Sequence, residues 1–169
     1  SDSPLWVCNG NIWPDHWSSQ QKATAETRSK ALPEEFYTAT KLPIVTPGNV
    51  IAFLKAHKRL GIAWQFQEQW SGSGRLSKTA YRQGLSTLFP IDSRYGWDIQ
   101  YKKHRDLIDL VRDTLTPLFK WSGPDCRRWS SATNAQDPKT LEQSRQEEFP
   151  ALSWLVSDCK CQHFAGRGY

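Results

Sequence analysis

One segment of the chain, residues 98–119, shows a clear helical pattern of hydrophobic positions. With a rotation of about 100° per residue, seven residues with aliphatic or ring side chains lie on one face of the helix: Tyr101, His104, Leu107, Ile108, Val111, Leu115 and Leu118. Charged residues occupy the opposite arc. The pattern predicts a central amphipathic helix over residues 98–118, capped by Asp98 and ended near Pro117. We expect four of its side chains to be among the most buried: Leu107, Ile108, Val111 and Leu115.

Two shorter helices are predicted on the N-terminal side of this segment. Residues 46–47 are a threonine followed by a proline, a pair suited to the start of a helix. We expect this helix to reach Gly61, because glycine is common just after a helix end. A further short helix is expected over residues 77–83.

Strand-like patterns occur in three places. Residues 62–70 alternate aromatic and glutamine side chains, which is the period of a strand. Ile62, Phe66 and Trp70 also fit a helix, and of the two alternatives we favour the strand. Two other segments are rich in β-branched and aromatic residues between prolines: 36–40 and 42–45.

The remaining segments have weaker patterns. Residues 18–31 are polar and predict either a surface helix or a loop, and residues 130–137 predict a surface loop. The Asp-Pro pair at 137–138 predicts the start of a short helix that ends at Glu148. The elements together predict one α+β domain over residues 1–169, helix-rich, with a small sheet beside the long helix.

Length and composition limit the class of protein. A chain of 169 residues with 38% hydrophobic and 23% charged residues is typical of one globular domain. No apolar run approaches the roughly 18 residues of a transmembrane helix. The first ten residues lack the basic and apolar regions of a signal peptide. Because the chain begins with serine and contains no methionine, we expect it to be a processed product or a fragment.

The charge of the chain is unevenly distributed. The whole chain carries a formal charge of +5, whereas residues 41–84 contain seven basic residues against Glu68 alone, a net +6. Such a concentration attracts polyanions: nucleic acid, an acidic glycan or an anionic membrane face. The alternative is an ordinary solvated surface.

Aromatic residues interleave with this basic segment. Aromatic faces can stack on bases while basic groups neutralise phosphates, which is how single-strand binders work. The alternative is that the aromatic residues form the core of the domain. The candidate binding residues lie within 55–82: Lys55, Lys58, Arg59, Trp64, Trp70, Arg75, Lys78 and Arg82.

The glycine-rich segment 71–78, SGSGRLSK, is a weaker candidate for anion binding. Its glycines can free backbone amides to form an anion-binding concavity. It lacks the spacing and the Gly-Lys-Ser/Thr ending of a Walker loop. We therefore favour an exposed connection for this segment.

Four cysteines are the clearest candidates for a covalent or metal site. In an extended segment alternate side chains share a face, so Cys159, Cys161 and His163 would converge. With Cys126, or with Cys8 or His16, they would complete the four-ligand set that zinc prefers. The alternative is two disulfides, in which Cys8 and Cys126 are each joined to one member of the neighbouring pair.

The expected localisation and the expected cofactor both depend on whether the cysteines form disulfides. Disulfides, the alternative that we favour, indicate a secreted protein, whereas zinc or free thiols fit a nuclear or cytoplasmic one. The expected cofactor is accordingly none, or one structural zinc.

Two classes of function are compatible with these features. The favoured hypothesis is a non-enzymatic basic module that binds an anionic partner, with nucleic acid as first choice. The alternative is a secreted, disulfide-stabilised effector, toxin or small hydrolase, with glycans as its candidate target. For an enzyme, His16 with the preceding Asp15 is the best acid–base candidate, although no motif links it to a nucleophile.

Overall fold

The computed structural model of the protein describes residues 12–29, 42–130 and 135–169. Along the described chain, seven helices and strands follow one another: α1 (Ser19–Ser29), α2 (Val50–His57), β1 (Phe66–Gln69), α3 (Arg75–Arg82), α4 (Lys102–Leu115), β2 (Phe119–Ser122) and α5 (Pro138–Phe164). Single 3₁₀ turns lie at Ser93–Tyr95 and Arg127–Trp129.

The sheet consists of β1 and β2, which pair in parallel. The register runs from Phe66 opposite Phe119 to Gln69 opposite Ser122. All four residues of β1 are buried, as expected for a parallel strand covered on both faces. Helix α3 packs on β1, and α4 packs on both α2 and α5. The predicted class is therefore confirmed: one compact, helix-rich α+β domain with a small sheet.

The long amphipathic helix has the predicted buried face. Leu107, Ile108 and Val111 have no exposed surface and Leu115 is 6% exposed. The helix is shorter than predicted, because Tyr101 rather than Asp98 is its N-cap and because it ends at Leu115 rather than at residue 118. The Asp98 carboxylate instead accepts a hydrogen bond from the Gln100 N–H at 3.0 Å, in the turn before the helix.

The predicted N-terminal elements are present with shifted boundaries, and the helix predicted to reach Gly61 ends at His57. The strand predicted over residues 62–70 is present as β1, and the short helix predicted at 77–83 begins two residues earlier as α3. Thr46 forms a turn rather than a cap, because its carbonyl accepts from the N–H groups of Asn49 and Val50. Asn49 is the N-cap of α2.

The predictions for segments 36–40, 42–45 and 18–31 differ in how they compare with the structure. Residues 42–45 contain a single β-bridge position at Pro43 rather than a strand, with Leu42 and Val45 buried, and residues 36–40 lie outside the described chain. The polar segment forms helix α1. Ser18 and Gln21 cap its start reciprocally, with their backbone N–H groups donating to each other's side-chain oxygens at 2.7 and 3.1 Å.

The C-terminal helix begins as predicted and ends much later. Asp137 caps its start, accepting from the Thr140 N–H at 2.9 Å. The prediction of an end at Glu148 is wrong, since α5 runs for 27 residues through Pro150. Proline interrupts the backbone ladder locally, but the buried Ala151 and Asp158 that follow anchor the helix to the rest of the domain.

A buried ionic cluster joins α5 to the sheet and to α4. The Asp158 carboxylate accepts from Lys120 Nζ at 2.6 Å and from Arg112 Nη1 at 2.9 Å. Gln69 Nε2 and the Tyr169 hydroxyl donate to the same carboxylate at 3.2 and 3.1 Å. Burial alone would raise the pKa of Asp158, but the two cations outweigh it and hold that pKa below its usual value.

A buried histidine attaches the N-terminal segment to α4. His104 Nε2 donates to the Ile12 carbonyl at 2.6 Å, and Nδ1 accepts from the Asp98 N–H at 2.8 Å. This pattern defines a neutral imidazole. The rings of Trp13 and Trp17 pack edge-on against it at 6.1 and 6.2 Å. Burial lowers the pKa of His104 to about 4.

Removal of the Asp158 carboxylate is expected to destabilise the protein severely. Asp158→Ala leaves the Lys120 and Arg112 charges buried without their shared counter-ion, at a cost of about 3–5 kcal/mol. Denaturant unfolding followed by tryptophan fluorescence measures this loss. Asp113→Ala is the matched control, because that carboxylate also contacts Arg112 but is 64% exposed, and it should cost less than about 1 kcal/mol. Equal losses would contradict the dominance of the buried cluster.

The stability of the protein should fall as the pH drops from about 6.5 to 4. In that range the unfolded histidine binds a proton that buried His104 excludes, so acid favours unfolding by up to about 3 kcal/mol. His104→Gln should remove this part of the pH dependence, measured as the free energy of unfolding against pH. His16→Gln, an exposed histidine beside Asp98, should retain it. An unchanged profile in His104→Gln would refute the assignment.

Candidate functional site

Helix α3 presents three cations on one face. Arg75, Lys78 and Arg82 are separated by three and four residues, so they lie within about 60° of one another around the helix axis. Arg75 and Arg82 are exposed and Lys78 is half-buried. The opposite face carries the buried residues Ser77 and Ala80. We call the three cations the basic stripe.

The helix that carries the basic stripe contains no acidic residue. Its sequence is RLSKTAYR. Within the part of the chain that the structure describes, none of the three cations forms an ion pair. Their charges are therefore available to an external partner.

The loop before α3 fixes the orientation of the helix. The Glu68 carboxylate on β1 accepts from the Ser77 N–H at 2.9 Å and from its hydroxyl at 2.6 Å. Gly72, with a φ of 54° that favours glycine, donates its N–H to the Asp92 carboxylate at 2.8 Å. The Gly74 N–H donates to a backbone carbonyl within the same loop.

These hydrogen bonds decide the role of the SGSGRLSK segment. The amides of Gly72 and Ser77 already bind carboxylates of the protein itself, so they do not form a cradle for an external phosphate. The second half of the segment is helical, because α3 begins at Arg75. Its cations therefore act from a helix face rather than from a loop.

The other predicted cations lie at the end of α2. Lys55, Lys58 and Arg59 are exposed there, where positive charge also interacts favourably with the helix dipole. Helix α2 packs on α4 while α3 packs on β1. The eight candidates thus separate into two basic groups and two tryptophans.

The two candidate tryptophans are packed inside the protein. Trp64 is 6% exposed and contacts the rings of Phe53 and His57 at 6.2 and 5.9 Å. Trp70 is half-buried and packs against Trp154 of α5 at 6.3 Å. Trp64 is therefore a core residue.

The cysteines take a different arrangement from the one expected. Residues 159–163 lie in α5, not in an extended strand, so Cys159 and Cys161 are rotated by about 200° from each other. Cys126, Cys159 and Cys161 are free thiols, and Cys8 lies outside the described residues. Across residues 12–29, 42–130 and 135–169, no group of histidine, cysteine and carboxylate side chains is arranged to hold a metal.

The proposed acid–base pair is a surface feature. His16 is 72% exposed at its side chain and lies 3.4 Å from the Asp98 carboxylate. Asp15 is exposed beside it. Asp98, rather than Asp15, is the carboxylate partner of this histidine.

The sequence pattern did not single out a cavity beside α1. The cavity has a volume of about 430 Å³, and Trp17 lines it together with uncharged polar side chains that include Gln20, Gln21, Thr24 and Ser93. We call it the Trp17 cavity. The one available signal was Trp17 followed by a polar helix, and a long-range contact with residues 93–96 completes the cavity.

Comparison with family models, with curated proteins and with solved structures finds no match to this chain. Over the described residues, no helix combines the length and apolarity needed to cross a membrane. The function must therefore be argued from the site itself.

The assignment of Trp64 to the core has a direct test. Trp64→Ala should cost about 3–5 kcal/mol of folding free energy, because a large buried ring is removed. Trp121→Ala is the control, since Trp121 is 50% exposed, and it should cost much less. Thermal and denaturant unfolding give both values. A Trp64→Ala variant of normal stability would return Trp64 to the list of possible binding residues.

Proposed function

We propose that this chain is a non-enzymatic binding module for polyanions, with nucleic acid as its first-choice partner. The observation that carries the proposal is the basic stripe: three cations on one helix face, without an acidic residue in that helix. Phosphates neutralised by such cations release bound counterions, which drives association. The exposed cations of α2 add to the positive field of the same chain segment.

The fixed orientation of α3 supports this function. A helix held through Ser77 to the buried Glu68 carboxylate presents its outer face in one position. Cations on a rigid helix lose less freedom on binding than cations on a mobile loop. Arg75 and Arg82 in addition carry guanidinium groups, which match phosphate oxygens in a bidentate way.

The proposal predicts a steep dependence of binding on salt. For the unmodified protein, the logarithm of the association constant for DNA should fall by roughly 0.7–0.9 per phosphate contact for each tenfold rise in salt. Replacing Arg75, Lys78 and Arg82 together by Gln should reduce this slope by about three contacts and leave the fold intact. Fluorescence anisotropy over a range of salt concentrations measures the slope.

The matched control removes the same charge elsewhere. Lys102, Lys139 and Lys160 are exposed, and their combined replacement by Gln should leave most of the slope unchanged. Equal effects of the two triple variants would show that net charge alone is responsible and would contradict a defined site. Failure of the unmodified protein to bind DNA, RNA or heparin at low salt would refute the proposal and favour the secreted alternative.

A further inference from the structure

The Trp17 cavity has the lining of a site for a flat, uncharged ligand group. Its volume of about 430 Å³ lies in the usual range for ligand pockets. No charged side chain lines it among the described residues. Trp17 supplies an aromatic surface, and Gln20, Thr24 and Ser93 supply hydrogen-bond donors and acceptors.

Trp17 is held in place by an aromatic stack. Its ring lies 5.5 Å from that of Trp13 with an angle of 18° between the planes. Both rings make T-shaped contacts with His104, which is fixed by its two hydrogen bonds to the backbone. A half-buried tryptophan supported on one face is a ready platform for a further planar group.

One turn of the chain belongs to both the cavity and the loop before α3. Ser93 and Gly96 line the cavity. The same turn also contacts the loop before α3. The hydroxyl of Tyr95 donates to the Ser73 carbonyl at 3.2 Å, and the carboxylate of Asp92 accepts from the Gly72 N–H. The turn at residues 92–96 therefore connects the cavity to the loop from which α3 begins.

From this arrangement we infer that the Trp17 cavity is a nucleobase pocket for single-stranded nucleic acid. A base extends the stack of Trp13 and Trp17, and the amide of Gln20 bonds to its edge. The phosphates that follow run toward Arg75 and the basic stripe, so the inference rests on the proposed function. A neutral sugar also uses tryptophan and amide groups, but it gains nothing from the cations of the basic stripe.

The inference is tested with two strands of the same length, an oligothymidylate and an abasic deoxyribose phosphate strand. Both present the same charge, and only the first offers a base. The unmodified protein should bind oligothymidylate more tightly by roughly 5- to 150-fold, the value of one stacked base. Fluorescence anisotropy at fixed salt gives both affinities.

Variants then test whether the preference for the strand with bases arises in the cavity. Trp17→Ala should abolish the preference and leave both the affinity for the abasic strand and the salt slope unchanged, whereas Trp17→Phe should retain part of it. Trp121→Ala, at an exposed tryptophan elsewhere, should retain all of it. Because Trp17 also packs on Trp13, unfolding curves are needed for each variant. Gln20→Ala, at an exposed residue, should weaken the preference without affecting folding.

The outcomes separate the inference from the proposed function. Equal binding of the two strands by the unmodified protein overturns the base pocket and leaves the polyanion module standing. If neither strand binds, thymidine is added and the indole N–H resonance of Trp17 is followed by NMR. A shift that is absent in Gln20→Ala supports the pocket while the polyanion module fails. No shift with thymidine, or a shift only with a neutral oligosaccharide, overturns the base pocket.

Discussion

The structure depends on the pairing of Asp158 with Lys120 and Arg112 in the interior. Asp158 and Lys120 have no exposed surface, so each charge is stable there only while its partners are present. The three residues come from α5, β2 and α4. Gln69, at the end of β1, donates to the same carboxylate. One ionised carboxylate therefore determines how the long C-terminal helix lies against both strands and the central helix.

Strand β1 connects the buried ionic cluster to the surface helix α3. Neighbouring side chains of a strand point to opposite faces. Gln69 reaches the buried cluster under α5, whereas Glu68 binds the N–H and hydroxyl of Ser77 in α3. The strand is thus held between the two helices by hydrogen bonds on both faces. The position of the basic stripe follows from the same interior that fixes α5.

The sequence predicted what depends on local periodicity and missed what depends on distant partners. The buried face of α4 could be read directly, because Leu107 and Val111 repeat at helical spacing. The length of α5 could not, since Pro150 is a local stop signal and the partners that hold Asp158 lie about 40 residues away. The same limit applies to Trp64. Its interleaving with basic residues suggested a binding surface, and only the contacts with Phe53 and His57 place it in the core.

The buried position of Glu68 also changes the electrostatics of the basic segment. Residues 41–84 contain this one acidic residue, which is 6% exposed and directed at Ser77. Both of its hydrogen bonds are with Ser77, so this carboxylate is bound inside the protein and forms no ion pair with Arg75, Lys78 or Arg82. The basic stripe therefore has no exposed carboxylate from its own segment beside it. At physiological salt the field of its cations extends about 8 Å, so it acts on a phosphate chain lying along α3 and little beyond it.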